Sequence, residues 1–118
     1  MQYPELIVVL TKFLGYDPQP GIVEVQIADF DGNVLNITDK VPMFSWTYPK
    51  SYPTTGRLRC QILEEKFDAD LGRLLLISSE MPDHISDSKG EYLLIWVLAE
   101  QVIEVSPPSR TNQEEVKT

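Results

Sequence analysis

The stretch Glu91-Tyr92-Leu93-Leu94-Ile95-Trp96-Val97-Leu98 has the composition of a β-strand, yet both of its faces are apolar. In an extended chain successive side chains point to opposite sides. Leu93, Ile95 and Val97 therefore share one face, and Tyr92, Leu94, Trp96 and Leu98 share the other. A strand in a sheet with one solvated face alternates apolar and polar residues instead. Something is expected to cover the second face: another sheet, a helix or another protein.

Working back from that strand, Arg73 to Ser79 is apolar on both faces through Leu74, Leu75, Leu76 and Ile77. It reads as the return strand of a hairpin. The outgoing strand, Arg57 to Leu63, sends Leu58, Cys60 and Ile62 inward and Arg57, Arg59 and Gln61 outward. Glu64 to Gly72 is expected to be the connecting loop. An earlier hairpin is signalled more clearly. Val23, Val25 and Ile27 alternate with Glu24, Gln26 and Ala28, and Asp31-Gly32 supplies the turn before Asn33 to Thr38 returns. Glu80 to Gly90 reads as a long polar loop. Ala99 to Val105 contains a short final strand around Val102 and Ile103.

The first segment, Pro4 to Leu14, carries conflicting signals. Pro4, Glu5, Lys12 and Gly15 suit the start and end of a helix. Leu6, Leu10, Phe13 and Leu14 have helical spacing. Against this, Ile7, Val8 and Val9 are β-branched and favour a strand. The reading adopted is a helix that covers the Trp96 face.

These elements predict a mainly β fold: a small antiparallel barrel or curled sheet of five or six strands with one N-terminal helix. The domain spans residues 1–105. Residues 106–118, which begin with Ser106-Pro107-Pro108, are polar and expected to be a disordered tail.

The chain has 118 residues, long enough to bury a core without disulfides or metal. Its net charge is −8. In the tail Arg110 and Lys117 cancel Glu114 and Glu115, so the surplus acid lies on residues 1–105. Such a surface repels nucleic-acid phosphates and anionic membranes and attracts basic proteins. Cys60 is the sole cysteine, which excludes an internal disulfide and favours a reducing compartment. Residues 1–14 lack the basic start and cleavage site of a signal peptide. A cytoplasmic location is the expectation.

No stretch carries a recognisable catalytic or cofactor pattern, so no catalytic residue, cofactor or metal ligand is assigned. Asp29 to Asn33 and Asp68 to Gly72 faintly resemble calcium loops. Neither has the full ligand spacing, and position twelve from Asp68 is Ser79 rather than glutamate. His84 stands among Ser86, Asp83 and Asp87 in a polar loop, which is not the rigid convergence that a triad needs.

The candidate binding site is the aromatic, proline-rich segment Phe44 to Pro53. If extended, it puts Phe44, Trp46 and Tyr48 on one side. Trp46, Tyr48 and Tyr52 are typical contact anchors, and Arg57 and Arg59 lie close behind them. Glu64, Glu65, Asp68 and Asp70 form an acidic hairpin loop suited to a basic partner. Alternatives are an enzymatic or small-ligand barrel with a pocket of Trp46, Tyr48 and Arg57, and a structural homodimer joined through the Trp96 face.

Asp39-Lys40-Val41-Pro42-Met43-Phe44, followed by Gly56-Arg57-Leu58-Arg59-Cys60-Gln61-Ile62-Leu63, resembles a pattern in small uncharacterised bacterial β-proteins. Some of those are similar to cytosolic antitoxin or immunity proteins. The resemblance spans residues 22–105 and implies a single-domain, non-enzymatic bacterial protein. It implies no contact residue.

Overall fold

The computed structural model describes residues 2–17 and 19–105. The expectation of a disordered tail over residues 106–118 lies outside the described residues. The chain forms strands β1 (Glu5–Gly15), β2 (Ile22–Ala28), β3 (Val34–Lys40), β4 (Thr54–Arg59), β5 (Gln61–Asp68), β6 (Gly72–Ser78), β7 (Leu94–Leu98) and β8 (Val102–Ile103). Short 3₁₀ turns at Val41–Met43 and Ala99–Gln101 precede β4 and β8. The strands make two antiparallel sheets, β3-β2-β1-β4 with β8 beside β1, and β5-β6-β7.

β1 corrects the expected N-terminal helix. Its alternation decides the matter: Leu6, Val8 and Leu10 are buried while Ile7 and Val9 are exposed. That is period 2, not the helical period of about 3.6. The β-branched Ile7-Val8-Val9 run finds partners on either side. Glu5 to Leu10 pair with Arg59 to Thr54 of β4, and Val9 to Gly15 pair with Gln26 to Ile22 of β2. Those ladders satisfy the backbone, so the weak helix-end signals have nothing left to stabilise.

The hairpin β2–β3 is as expected from its turn. The Asp29 carboxylate Oδ1 accepts the backbone N–H of Asp31 at 2.8 Å and of Asn33 at 2.9 Å. Gly32 takes the positive φ of 82° that the turn requires. β4 and β5 are nearly continuous. Cys60, buried between them, donates its N–H to the Pro4 carbonyl at 2.9 Å, and there the chain crosses from one sheet to the other.

The sheets enclose one core. β1 contributes Leu6, Val8 and Leu10; β2 contributes Val23, Val25 and Ile27; Leu58, Leu75, Ile77, Leu93 and Val97 come from the remaining strands and the approach to β7. Each such side chain contributes roughly 1.5–3 kcal/mol on burial. The β2–β3 turn is tied to β7 by the Phe30 N–H on the Trp96 carbonyl at 2.9 Å. The barrel is not closed, because no ladder joins β5 to the first sheet among the described residues.

The two-faced strand is resolved without a helix. Leu93 and Val97 are buried, as expected for the inner face. On the outer face Trp96 and Leu98 are half-buried, and Lys66 Nζ sits 4.4 Å from the Trp96 ring centroid. Leu94 remains 60 % exposed. A cation and its aliphatic arm thus do part of the covering that the sequence assigned to a helix. The expected loop from Glu64 to Gly72 is also shorter than read. β5 continues to Asp68, and only the turn to Gly72 separates it from β6. No helix among the described residues is long and apolar enough to cross a membrane.

Candidate functional site

The segment after the 3₁₀ turn Val41–Met43 is not extended, so Phe44, Trp46 and Tyr48 do not share a side. The N–H groups of Phe44 and Ser45 both donate to the Val41 carbonyl, at 2.9 and 3.1 Å, and the Phe44 carbonyl accepts the Arg57 N–H at 2.9 Å. Phe44 is thereby fixed in the core. The chain turns sharply behind it, with the Ser45 hydroxyl donating to the Thr47 carbonyl. Trp46 is thrown outward and is 94 % exposed. An indole this exposed gains nothing from the fold that presents it.

Trp46 overhangs a groove of about 550 Å³. Tyr3, Glu5 and Arg59 line it on the β1–β4 side, and Ile103, Glu104 and Val105 line it around β8, with Gln2 at its end. The topology explains the convergence. Glu5 pairs with Arg59 across β1–β4 and with Ile103 across β1–β8, so residues distant in sequence meet at one corner of the sheet. Composition and spacing carried no local signal for Tyr3, Glu5, Ile103 or Glu104.

The arginines near this corner are already engaged. Arg59 makes a bidentate pair with Asp83, Nη2 to Oδ1 at 2.6 Å and Nε to Oδ2 at 3.0 Å. That hydrogen-bonded carboxylate raises the Arg59 pKa further and keeps its charge fixed. Arg57 Nη1 lies 3.1 Å from Glu5 Oε1. Arg73 holds Glu104 through Nη1 at 2.6 Å and Nη2 at 3.0 Å, and its Nε donates to Glu65. The hydrogen bonds from Arg73 hold the Glu104 carboxyl below its ordinary value.

Tyr48 and Tyr52 occupy a different place. They belong to an aromatic cluster with Phe13 and Tyr16. The ring centroids of Phe13 and Tyr16 are 4.8 Å apart, Phe13 and Tyr52 6.4 Å, and Tyr16 and Tyr48 6.1 Å. The Tyr48 hydroxyl donates to the Pro20 carbonyl, and burial raises the Tyr52 pKa. Phe13 was read from the sequence only as part of an apolar helical stripe, and Tyr16 was not assigned to the site.

The acidic residues are brought together only in part. Asp68 is a turn residue: its Oδ1 accepts the N–H of Asp70 at 2.8 Å and of Leu71 at 2.9 Å. Those bonds, that of Leu71 first, lower its pKa. Glu64 and Glu65 lie on β5 rather than in a loop, paired with Leu76 and Leu75. Glu65 reaches the groove indirectly, since it shares Arg73 with Glu104.

Other candidates have simpler settings. The His84 ring lies 6.0 Å from that of Tyr92. Burial pushes the Cys60 thiol up to about 12. Among the described residues no group of three or more His, Cys, Asp or Glu side chains is arranged to hold a metal ion. No protein-family model, curated protein or solved structure matches this chain.

What the corner offers is a large aromatic surface, further apolar lining from Tyr3, Ile103 and Val105, and carboxylates already positioned by arginines. A flat aromatic side chain with acids beside it suits an amphipathic cation, such as a lysine or arginine whose stem lies on the ring.

Proposed function

We propose that this protein is a non-enzymatic, cytoplasmic binding module that captures a basic protein through the groove beneath Trp46, in the manner of an immunity or antitoxin protein neutralising its target. The observation that carries this reading is the 94 % exposure of Trp46 over a groove lined by Glu5 and Glu104. Tryptophan is among the residues most often found to dominate interface energetics, and it is ordinarily kept from water. The −8 charge supports the choice of partner, because it steers basic proteins toward the molecule. Arg57 and Arg73 hold the two carboxylates in place, and Tyr48 and Tyr52 brace the far end of the same loop.

A pull-down from the native host supplies the partner for the test. Trp46→Ala is then expected to speed dissociation by about 30-fold, the equivalent of ~2 kcal/mol for an interface anchor. Melting should stay unchanged, because the ring contributes no burial to the fold. A complex that dissociates at the wild-type rate would overturn the groove as the contact site.

A second reading rests on the outer face of β7, where Leu94 is 60 % exposed beside Tyr92 and Trp96. A homodimer would cover that face. Two copies each carrying −8 repel one another, which favours the basic partner.

A further inference from the structure

β5 ends the second sheet: β6 pairs along one side of it, and no described strand pairs along the other. An open edge of this kind presents unpaired N–H and C=O groups and is a template for another strand. The opposite sheet end, β3, is not equally open, because Ser86, Asp87 and Ser88 line a groove against Asn36, Ile37 and Thr38. β5 also shows apolar side chains at its surface. Phe67 is 75 % exposed and Leu63 51 % exposed.

The charges on β5 decide what can dock. Glu64, Glu65 and Asp68 stand against Lys66 alone, and Asp70 follows in the turn. Lys66 is drawn onto the Trp96 ring at 4.4 Å. A second copy paired antiparallel about Lys66 would set Glu64 opposite Asp68 and Lys66 opposite Lys66, and like charges facing across a ladder are destabilising. The bulge between Ile62 and Glu64 further disturbs self-pairing at the start of the strand. A strand of opposite charge meets no such barrier.

We propose that the β5 edge, from Leu63 to Asp68, receives an extended basic segment of a partner protein as an added antiparallel strand. Its backbone completes the ladder, its basic side chains meet Glu64 and Asp68, and its alternate apolar side chains cover Phe67 and Leu63. This surface shares with the groove reading only the basic character of the partner.

The test uses a synthetic peptide of about ten residues alternating lysine and valine, and the same peptide N-methylated at alternate residues. The first is expected to bind the intact protein and to slow amide exchange at residues 63–68. The N-methylated peptide keeps the charge but cannot form the ladder, and should not bind. Glu64→Lys, at an exposed position, should weaken binding on the order of tenfold, because an attractive cross-strand pair becomes a like-charge pair. Phe67→Ser should weaken it independently, while Trp46→Ala should leave it unchanged. Equal binding of both peptides would overturn the proposal. So would no binding, protection confined to β3 or the Trp46 groove, or self-association of the protein alone through β5. Loss of binding in Trp46→Ala would instead assign the peptide to the groove.

Discussion

Ser79 is fully buried, yet its hydroxyl has both of the partners it needs. It donates to the Ile85 carbonyl at 2.5 Å and accepts the Leu93 N–H at 2.8 Å, pinning the long loop to the approach of β7. Ser79→Ala orphans both backbone groups and is expected to cost roughly 1–3 kcal/mol, read from denaturant unfolding. A wild-type midpoint would mean that water replaces the hydroxyl. Gly56 is a different kind of residue-level constraint. A Cβ there would lie 2.8 Å from Leu10 Cδ2 and 3.0 Å from the Phe44 carbonyl. Gly56→Ala should destabilise by about 1–3 kcal/mol through overpacking, despite the better strand propensity of alanine. Cys60, with its thiol pushed up to about 12 by burial, should resist alkylation at pH 8 until denaturant is added. Rapid labelling of the native protein would contradict that burial.

Among the elements, β1 carries the most consequence. It is the central strand of its sheet, laddered to β2, β4 and β8. Removing residues 1–15 should therefore abolish folding, measured by loss of cooperative melting and of native amide dispersion. A covering helix would have predicted a folded remnant with one exposed apolar face, so the two architectures give opposite outcomes. Val8→Asp makes the same point with a single charge buried in the core, at a cost on the order of 4 kcal/mol or more. The β5–β6 hairpin is the contrasting element. Its turn end is exposed, and the Arg73 bridge from Glu65 to Glu104, next to that turn, latches it to the segment after β8.

At the scale of the molecule, acid stability follows from the same carboxylates. Glu104 ordinarily titrates at 4.5 and is lowered by Arg73; Asp68 and Asp87 ordinarily titrate at 3.8 and are lowered by backbone N–H groups, led by those of Leu71 and Glu91. Each binds its proton less readily folded than unfolded. Their stabilisation is complete above the unfolded values and is lost as pH falls through the lowered ones. Urea midpoints should thus hold steady from neutral pH to about 5 and decline below, and Arg73→Gln should soften the decline by removing the Glu104 contribution. An unaltered pH profile in that variant would show that the latch adds nothing. Net charge acts oppositely on association: raising the salt should slow capture of a basic partner without changing the melting temperature much.

Much of the strand content was legible because it depends on local rules. The Asp31-Gly32 turn specified the β2–β3 hairpin, and alternation placed Leu58, Cys60 and Val97 inside. Arg57 and Arg59 were legible as outward-facing, because strand alternation is a local pattern, and Trp46 and Arg59 line one groove. The character of Pro4 to Leu14 was not, because helical spacing and β-branched preference nearly balance there, and the balance was tipped by ladders to strands more than forty residues away in β4. The second face of Tyr92 to Leu98 was likewise settled by a non-local contact, with Lys66. Tyr3, Glu5 and Glu104 enter the groove only because β1 pairs with β4 and β8 at the same residue. By itself the sequence determined an acidic, mainly β chain with an aromatic surface loop. Only the tertiary structure decided which strands are central, which edge is open and which carboxylates stand beneath Trp46, because strand pairing is a choice among distant partners that no local propensity encodes.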